Sequence, residues 1–363
     1  MPRAAVRTPP TITGSRSGCA APTMTRRAWT TQSACWTRAG AQELAMPFVH
    51  DIDPIVATIG GVHVWWYGLS YSAGFLNAHL FLRRARARLH LSLASVYDLT
   101  LCLAVGVLVG GRSIVVFVNE WPFYRRHLSL MPAIWVGGLA THGLVAGGAA
   151  GVLIFCARRR MPFRPVLDAL AVAAAAILGC GRIGNFIDGQ IVGTVTSVAW
   201  AVKFPSAEGF RHPVVLYDGL KNFLLVPLLL ALVRRRMPPG RSAALFLLLY
   251  PALRIPIDLL RDYQAETAAT GQMLNAIMAA AGAALLARNV LRRAHAPAVS
   301  PPELPASGSM HWRRLALAAV LAIPVVIPSD ATRDVPATYG ARHPRLAHSR
   351  LYPPLDSLRS DER

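Results

Sequence analysis

The 363-residue chain is 53% hydrophobic and only 15% charged, with a mean hydropathy of +0.38, a balance that points to an integral membrane protein. A formal charge of +20 would suit a nucleic-acid binder in a soluble protein, but here the arginines crowd into short connectors between apolar blocks, where they report topology. Nucleic-acid binding is excluded on that ground. Residues 1–45, rich in Thr, Ala, Arg and Ser and without an apolar signal-peptide core, read as a disordered tail or a mis-called start. Seven apolar blocks of roughly 20 residues, the length needed to cross ~30 Å of hydrocarbon, then follow at 62–82, 97–118, 133–157, 166–187, 214–233, 242–260 and 271–291. The expected fold is an all-α membrane bundle of about seven transmembrane helices occupying residues 46–295.

The connectors after blocks one, three, five and seven hold fifteen arginines, and those after two, four and six hold five basic residues. The positive-inside rule therefore places the amino terminus outside and the carboxyl-terminal side in the cytoplasm. Six arginines within residues 1–45 run against that orientation, whereas residues 46–61 contain no Lys or Arg and agree with it. From residue 296 onward the chain reads as a Pro-rich, polar tail. Its apolar stretch "LALAAVLAIPVVI" (315–327) is too short to span and, with "MHWRR" before it, resembles a signal-peptide core that lacks a cysteine. The five cysteines make no disulfide framework, since Cys102, Cys156 and Cys180 lie in apolar blocks and act as small hydrophobes.

Ionisable residues inside a bilayer are costly and usually face a site. Tyr67, Arg112, His142, Arg182, Asp218, Lys221, Arg254 and Asp258 all fall in the outer halves of their blocks. Alternate blocks run in opposite directions, so this agreement implies a polar cavity that opens toward the outer leaflet. The alternative is a set of interhelical ion pairs that only fix packing, for which Arg254 and Asp258 have suitable i, i+4 spacing. Three arginines and a lysine face two aspartates, and a phospholipid phosphate, which a guanidinium binds bidentately, would complete the balance. His79, Asp98 and Asp168 lie near the inner ends, where snorkelling accounts for them. In "GCGRIGNFIDGQIVG" (179–193), Arg182 and Asn185 sit three apart on one helix face, and the glycines beyond free backbone N–H groups for a phosphate or an oxyanion. The glycines of "GGRS" (110–113), "VGGLATHG" (136–143) and "GGAAG" (147–151) let helices approach closely. No metal-ligand spacing or nucleotide loop occurs in the sequence, so no metal and no cofactor are expected.

These residues carry a resemblance. "GRIGNFIDGQIVG" is similar to the signature of bacterial prolipoprotein diacylglyceryl transferases, Gly-Arg-x-Gly-Asn-Phe followed by Asn-x-Glu and a further Gly, here Gly193. "VHVWWYGLSYSAGF" (62–75), "VLVGGR" (107–112), "GGLATHG" (137–143), "RHPVVLYD" (211–218) and "YPALRIPIDLLR" (250–261) resemble the family's other motifs in the family's order, across roughly residues 46–295. The resemblance implies a bacterial inner-membrane enzyme. It would move the diacylglyceryl group of phosphatidylglycerol onto the lipobox cysteine of a preprolipoprotein, at the outer face, and release glycerol phosphate. It implies His142 as the base for the thiol, with Arg182 and Arg254, joined by Arg112, stabilising the leaving phosphate. Asn185, Tyr250 and Tyr67 would orient the headgroup, with Gln190, Gly193 and Asp258 completing the phosphatidylglycerol site. For His142 a packing role, and for Tyr67 and Tyr250 a role as interfacial anchors, stay open. Asp218 and Lys221 read as structural.

Four positions depart from the family pattern close to this chemistry: Asp188 for Asn, Gln190 for Glu, Leu144 for a second Gly after the histidine, and Val136 for an acidic residue. Asp258 for Glu is milder. These changes bear on activity more than on fold. They keep open a divergent paralogue that binds or carries phospholipid without turnover.

Overall fold

The computed structural model describes residues 48–235, 238–262, 265–291 and 309–329. The amino-terminal stretch 1–45 and most of the carboxyl-terminal tail lie outside the described residues. Seven helices of 18 to 27 residues follow one another: α1 (Trp66–Ala85), α2 (Leu93–Ile114), α3 (Thr141–Arg158), α4 (Phe163–Ile187), α5 (Val214–Arg234), α6 (Arg241–Asp258) and α7 (Ala265–Leu291). An eighth, α8 (Met310–Ala322), is 13 residues long and continues as 3₁₀ helix over Ile323–Val326. Five stretches are long and apolar enough to cross a membrane, namely Leu93–Asn119, Thr141–Arg158, Phe163–Ile187, Val214–Arg234 and Ala269–Asn289. Helices α1 and α6 have comparable lengths but carry buried polar groups, Ser72 and His79 in one and Arg254 and Asp258 in the other, which lower their hydropathy.

Two of the expected blocks begin differently. The first is not helical from residue 62, because Val62–Trp65 forms strand β3, paired antiparallel with β2 (Ile55–Ile59). Gly60 and Gly61, both at positive φ, make the hairpin turn, and Thr58 Oγ1 lies 2.9 Å from His63 Nδ1 across it. The third is not helical from 133. Its helix starts only at Thr141, because Gly137 and Gly138 take φ values of 90° and 78°. A further short pair joins β1 (Phe48–Val49) to β4 (Val202–Lys203) in parallel.

Sequential helices are antiparallel. Along the α2–α3 seam, Gly106 and Gly110 face Gly147 and Gly143 so closely that a Cβ on any of them would meet the opposite backbone carbonyl. In lipid there is no solvent-driven attraction between helices, so such close backbone packing is what holds the pair. Helix α4 is the most enclosed, with 72% of its apolar window buried. One face packs Val166, Ala169, Leu170, Ala173 and Ile177 against Phe75, Ala78 and Leu82 of α1. The other packs Ala171, Val172, Ala175 and Leu178 against Leu225, Leu229, Phe246 and Tyr250 of α5 and α6.

At the arginine-rich end of the bundle the polar groups are partnered, not snorkelled as expected. Asp98 accepts from Arg159 Nη2 at 2.6 Å and from Arg313 Nε of α8 at 2.7 Å. Asp168 caps α6, accepting from the Gly240 and Ala243 amides at 2.7 and 2.8 Å. His79 Nδ1 lies 2.9 Å from the Thr100 hydroxyl, and the residue is 2% exposed. Asp168 and His79 are buried and Asp98 is partly so, and in each case a protein partner takes the place of water.

Candidate active site

The opposite end of the bundle holds a cavity of about 650 Å³. Its walls come from α1 (Tyr67, Tyr71), α3 (His142), α4 (Arg182, Asn185), the loop after it (Gln190), the end of α6 (Arg254, Asp258) with Arg261 just beyond it, α7 (Gly271, Leu274) and the turn at Asn119 and Glu120. Tyr71 also lines a second, apolar crevice of about 150 Å³ bounded by Leu103, Leu144, Val152, Ile177 and Phe246. A polar chamber and an apolar slot thus meet at one side chain.

Asp218 is the hub of the polar wall. Its Oδ2 accepts from Arg182 Nε at 2.5 Å and from Arg254 Nη1 at 3.1 Å, and its Oδ1 meets Lys221 Nζ at 2.6 Å. Asp258 accepts from Arg254 Nε at 3.1 Å, from Arg261 Nη1 at 3.3 Å and from Asn275 Nδ2 at 3.1 Å. Asp218 and Asp258 thus hold Arg182, Lys221, Arg254 and Arg261 in one hydrogen-bonded cluster. A buried ion cluster holds together only when it is extensively hydrogen-bonded, and guanidinium groups in a chamber wall suit an anion. Arg182 shows where. Two of its five N–H groups are committed, Nε to Asp218 and one on Nη1 to Asn185 Oδ1 at 3.1 Å, so three remain for a ligand in the chamber.

His142 is ordered through a chain of contacts. Asn275 Nδ2 donates to Asp258, which turns its Oδ1 toward His142 Nε2, 3.2 Å away. Oδ1 can only accept, so Nε2 carries the hydrogen and Nδ1 is left as the basic nitrogen.

Not every expected site residue reaches the chamber. Arg112 stands apart from its lining: the guanidinium donates to the carbonyls of Met131, Gly137 and Leu130 at 2.9, 2.6 and 2.7 Å and stacks over Tyr124. It clamps the connector between α2 and α3 in place of binding a phosphate there. Tyr250 backs the wall, its hydroxyl accepting from Arg254 Nη1 at 3.3 Å and its ring lying 4.0 Å from Lys221 Nζ. Gly193 belongs to the loop that Thr194 N ties to Leu260 O at 2.8 Å, and a Cβ there would collide with the His212 carbonyl. That loop holds Arg261 against the chamber. Tyr67, His142, Arg182, Asn185, Gln190, Arg254 and Asp258 are brought together as expected.

A family model described as prolipoprotein diacylglyceryl transferase matches residues 54–288. The chain belongs to the prolipoprotein diacylglyceryl transferase family. It is 35% identical over 225 residues to a protein of Geobacter sulfurreducens, covering 61% of this chain and 86% of that relative. It is 34% identical over 263 residues to one of Mannheimia succiniciproducens, covering 69% and 97%. Both are named Phosphatidylglycerol--prolipoprotein diacylglyceryl transferase.

In this transferase-family chain some residues of the site carry little signal in sequence. Asp218 and Lys221 read there as structural, yet they form the centre of the polar wall. Asn275 and Gln272, three apart on α7, are a polar pair in an otherwise apolar run, and that spacing is the available signal. Of the departures, Gln190 lines the chamber and Leu144 fills the space against Gly111 while lining the apolar crevice. Asp188 is 1% exposed and accepts from the Ser329 hydroxyl. The Val136 side chain lies outside the described residues. Before the first helix, His50 Nε2 donates to the Phe186 carbonyl at 2.7 Å and its ring stacks on Phe204. Burial holds this imidazole below its ordinary value of 6.5.

Proposed function

We propose that this chain transfers the diacylglyceryl group of phosphatidylglycerol to the lipobox cysteine of a preprolipoprotein signal peptide, at the outer face of a bacterial inner membrane. In this reading α1 to α7 all span, the amino terminus is outside and the arginine-rich connectors are cytoplasmic. The phosphate lies against Arg182 and Arg254, with Asn185, Tyr67, Gln190 and Asp258 around the headgroup, while the adjoining apolar crevice receives acyl chain. A cysteine thiol ionises near pH ~8.5, and His142 Nδ1 takes its proton. The sulfur attacks the glycerol carbon that carries the phosphate, the C–O bond breaks, and glycerol phosphate leaves with the electron pair. The leaving group's charge grows from one negative to nearly two, which the guanidinium groups of Arg182 and Arg254 complement.

The single observation that supports this most is the convergence of Arg182, Arg254 and His142 on one chamber that abuts an apolar slot. Family membership supports the same chemistry. The test is incubation of the purified protein with phosphatidylglycerol labelled in its acyl chains and a lipobox peptide. Label appears on the cysteine with wild type and is lost in His142→Ala and Arg182→Ala proteins that remain folded. An unlabelled cysteine beside an active control enzyme refutes the reading.

A further inference from the structure

The segment from Ser309 to Ser329 plays no part in the chemistry above, yet it is closely fitted to the bundle. Its sequence runs from a basic start, "HWRR", through the apolar Leu315–Ile327, to Pro328 and Ser329, which is the order of parts in a secretory signal peptide. Helix α8 and the 3₁₀ turn after it cover roughly 28 Å at ~1.5 and ~2.0 Å per residue. That is close to the thickness of the bilayer's hydrocarbon core.

The segment lies along α1 and α2 and is fastened at both ends. At the arginine-rich end, Arg313 grips Asp98 through Nε and Nη2 at 2.7 and 3.2 Å. Midway, Ser72 Oγ donates to the Leu321 carbonyl at 2.7 Å. Above that, Gly68 presents a bare α-carbon to the Pro324 carbonyl, where a Cβ would collide. The last turn buries Ile327, 1% exposed, and Ser329 then reaches the lining of the polar chamber, its hydroxyl donating to Asp188. The outer face of α8 stays open, with Trp312 and Leu315 at 50% and 59% exposure, so the segment fills a groove on the flank of the bundle.

We propose that this flank groove of α1 and α2 is the docking path for the apolar helix of the acceptor signal peptide, and that residues 309–329 occupy it as an internal pseudosubstrate. Ser329 then stands where the acceptor cysteine would stand. A serine hydroxyl is far less acidic than a thiol, so it holds the position without reacting. The proposal rests on the transferase reading, which stands even where the proposal fails.

The test uses the full-length protein in phosphatidylglycerol bilayers. In Ser329→Cys, the introduced sulfur bonds to the glycerol carbon, the C–O bond to phosphate breaks, glycerol phosphate departs with the electron pair, and the thiol proton passes to the base. Peptide mass mapping then finds one diacylglyceryl group on residue 329. Arg313→Glu, which sets two carboxylates against each other, loosens the segment and lowers KM for a separate lipobox peptide by roughly fivefold or more, the range of ordinary site coupling. If wild type modifies the free peptide while the Ser329→Cys thiol stays unmodified, the proposal is overturned and the transferase reading stands. A KM that falls for phosphatidylglycerol but not for the peptide makes the groove a lipid passage and also overturns it. When neither the peptide nor the introduced thiol is modified, the transferase reading itself fails and the proposal falls with it.

Discussion

Replacing Arg182 by lysine keeps the charge and removes the fork. Arg182 reaches Asp218 through Nε at 2.5 Å and Asn185 through Nη1 at 3.1 Å, while three further N–H groups are available to the chamber. A lysine ammonium has three donors on a single nitrogen and cannot serve Asp218, Asn185 and two phosphate oxygens together. The ground-state phosphodiester, singly charged, still meets a cation at this position beside Arg254, so KM for phosphatidylglycerol changes little. The leaving phosphate monoester, whose charge grows in the transition state, loses directed donors. Removing one such donor costs about 2.7–4 kcal/mol, or ~10²–10³ in kcat. Steady-state transfer to a lipobox peptide, with thermal unfolding as a control for the fold, measures both parameters. A KM that rises about tenfold at unchanged kcat would mean that Arg182 contributes uniform binding only, and the assigned role would be refuted.

Asp218→Asn leaves Arg182, Arg254 and Lys221 around a neutral amide, and breaking a buried ion cluster in this way costs about 3–5 kcal/mol. Lys221→Met in the same chain recovers part of that loss. Unfolding in detergent against denaturant reads both, and a shift below about 1 kcal/mol for the single variant would show that Asp218 is not the hub. Asn275→Leu frees His142 from its imposed tautomer and lowers kcat by about 10²–10⁴, the worth of a positioned base, with KM for lipid unchanged; an unaltered kcat removes His142 Nδ1 from the account. For His50, whose folded value is held below 6.5, the neutral form is favoured in the folded state. Its contribution to stability is complete above about pH 6.5 and fades as the pH falls through the lower, folded value. The protection factors of the amides of residues 186–190, corrected for the intrinsic pH dependence of exchange, therefore fall on acidification in wild type, and those of a His50→Gln protein do not.

Much of the fold is legible in the sequence because lipid imposes one simple demand, that an apolar run of spanning length be helical. The ends of the runs are not, because that demand lapses where the chain leaves hydrocarbon. "VHVWW" is as apolar as the helix it precedes, yet Gly60 and Gly61 at positive φ turn it into a hairpin. The site is partly legible for an electrostatic reason. Depth alone gathers Arg182, Arg254, Asp258 and His142, since buried charges must share a chamber or pair. Depth cannot separate a residue facing the chamber from one facing a loop, and Arg112, at a similar depth, spends its donors on three backbone carbonyls. Nor can it rank partners, so the role of Asp218 as the shared carboxylate emerges only from the geometry. The docked segment at 309–329 is hidden because 13 apolar residues look too short to cross as helix. Its reach comes from the polar turn at 310–314, which extends the helix ahead of the apolar stretch.

The central claim is that the buried cations of one chamber drive a single displacement at phosphatidylglycerol. The most direct measurement uses lipid labelled in both halves, with acyl label and headgroup label counted in one reaction with a lipobox peptide. The account predicts one diacylglyceryl group on the peptide cysteine for each glycerol phosphate released, and neither product when that cysteine is serine. Bound phosphatidylglycerol that yields no products, or headgroup release that proceeds without the thiol, would contradict it.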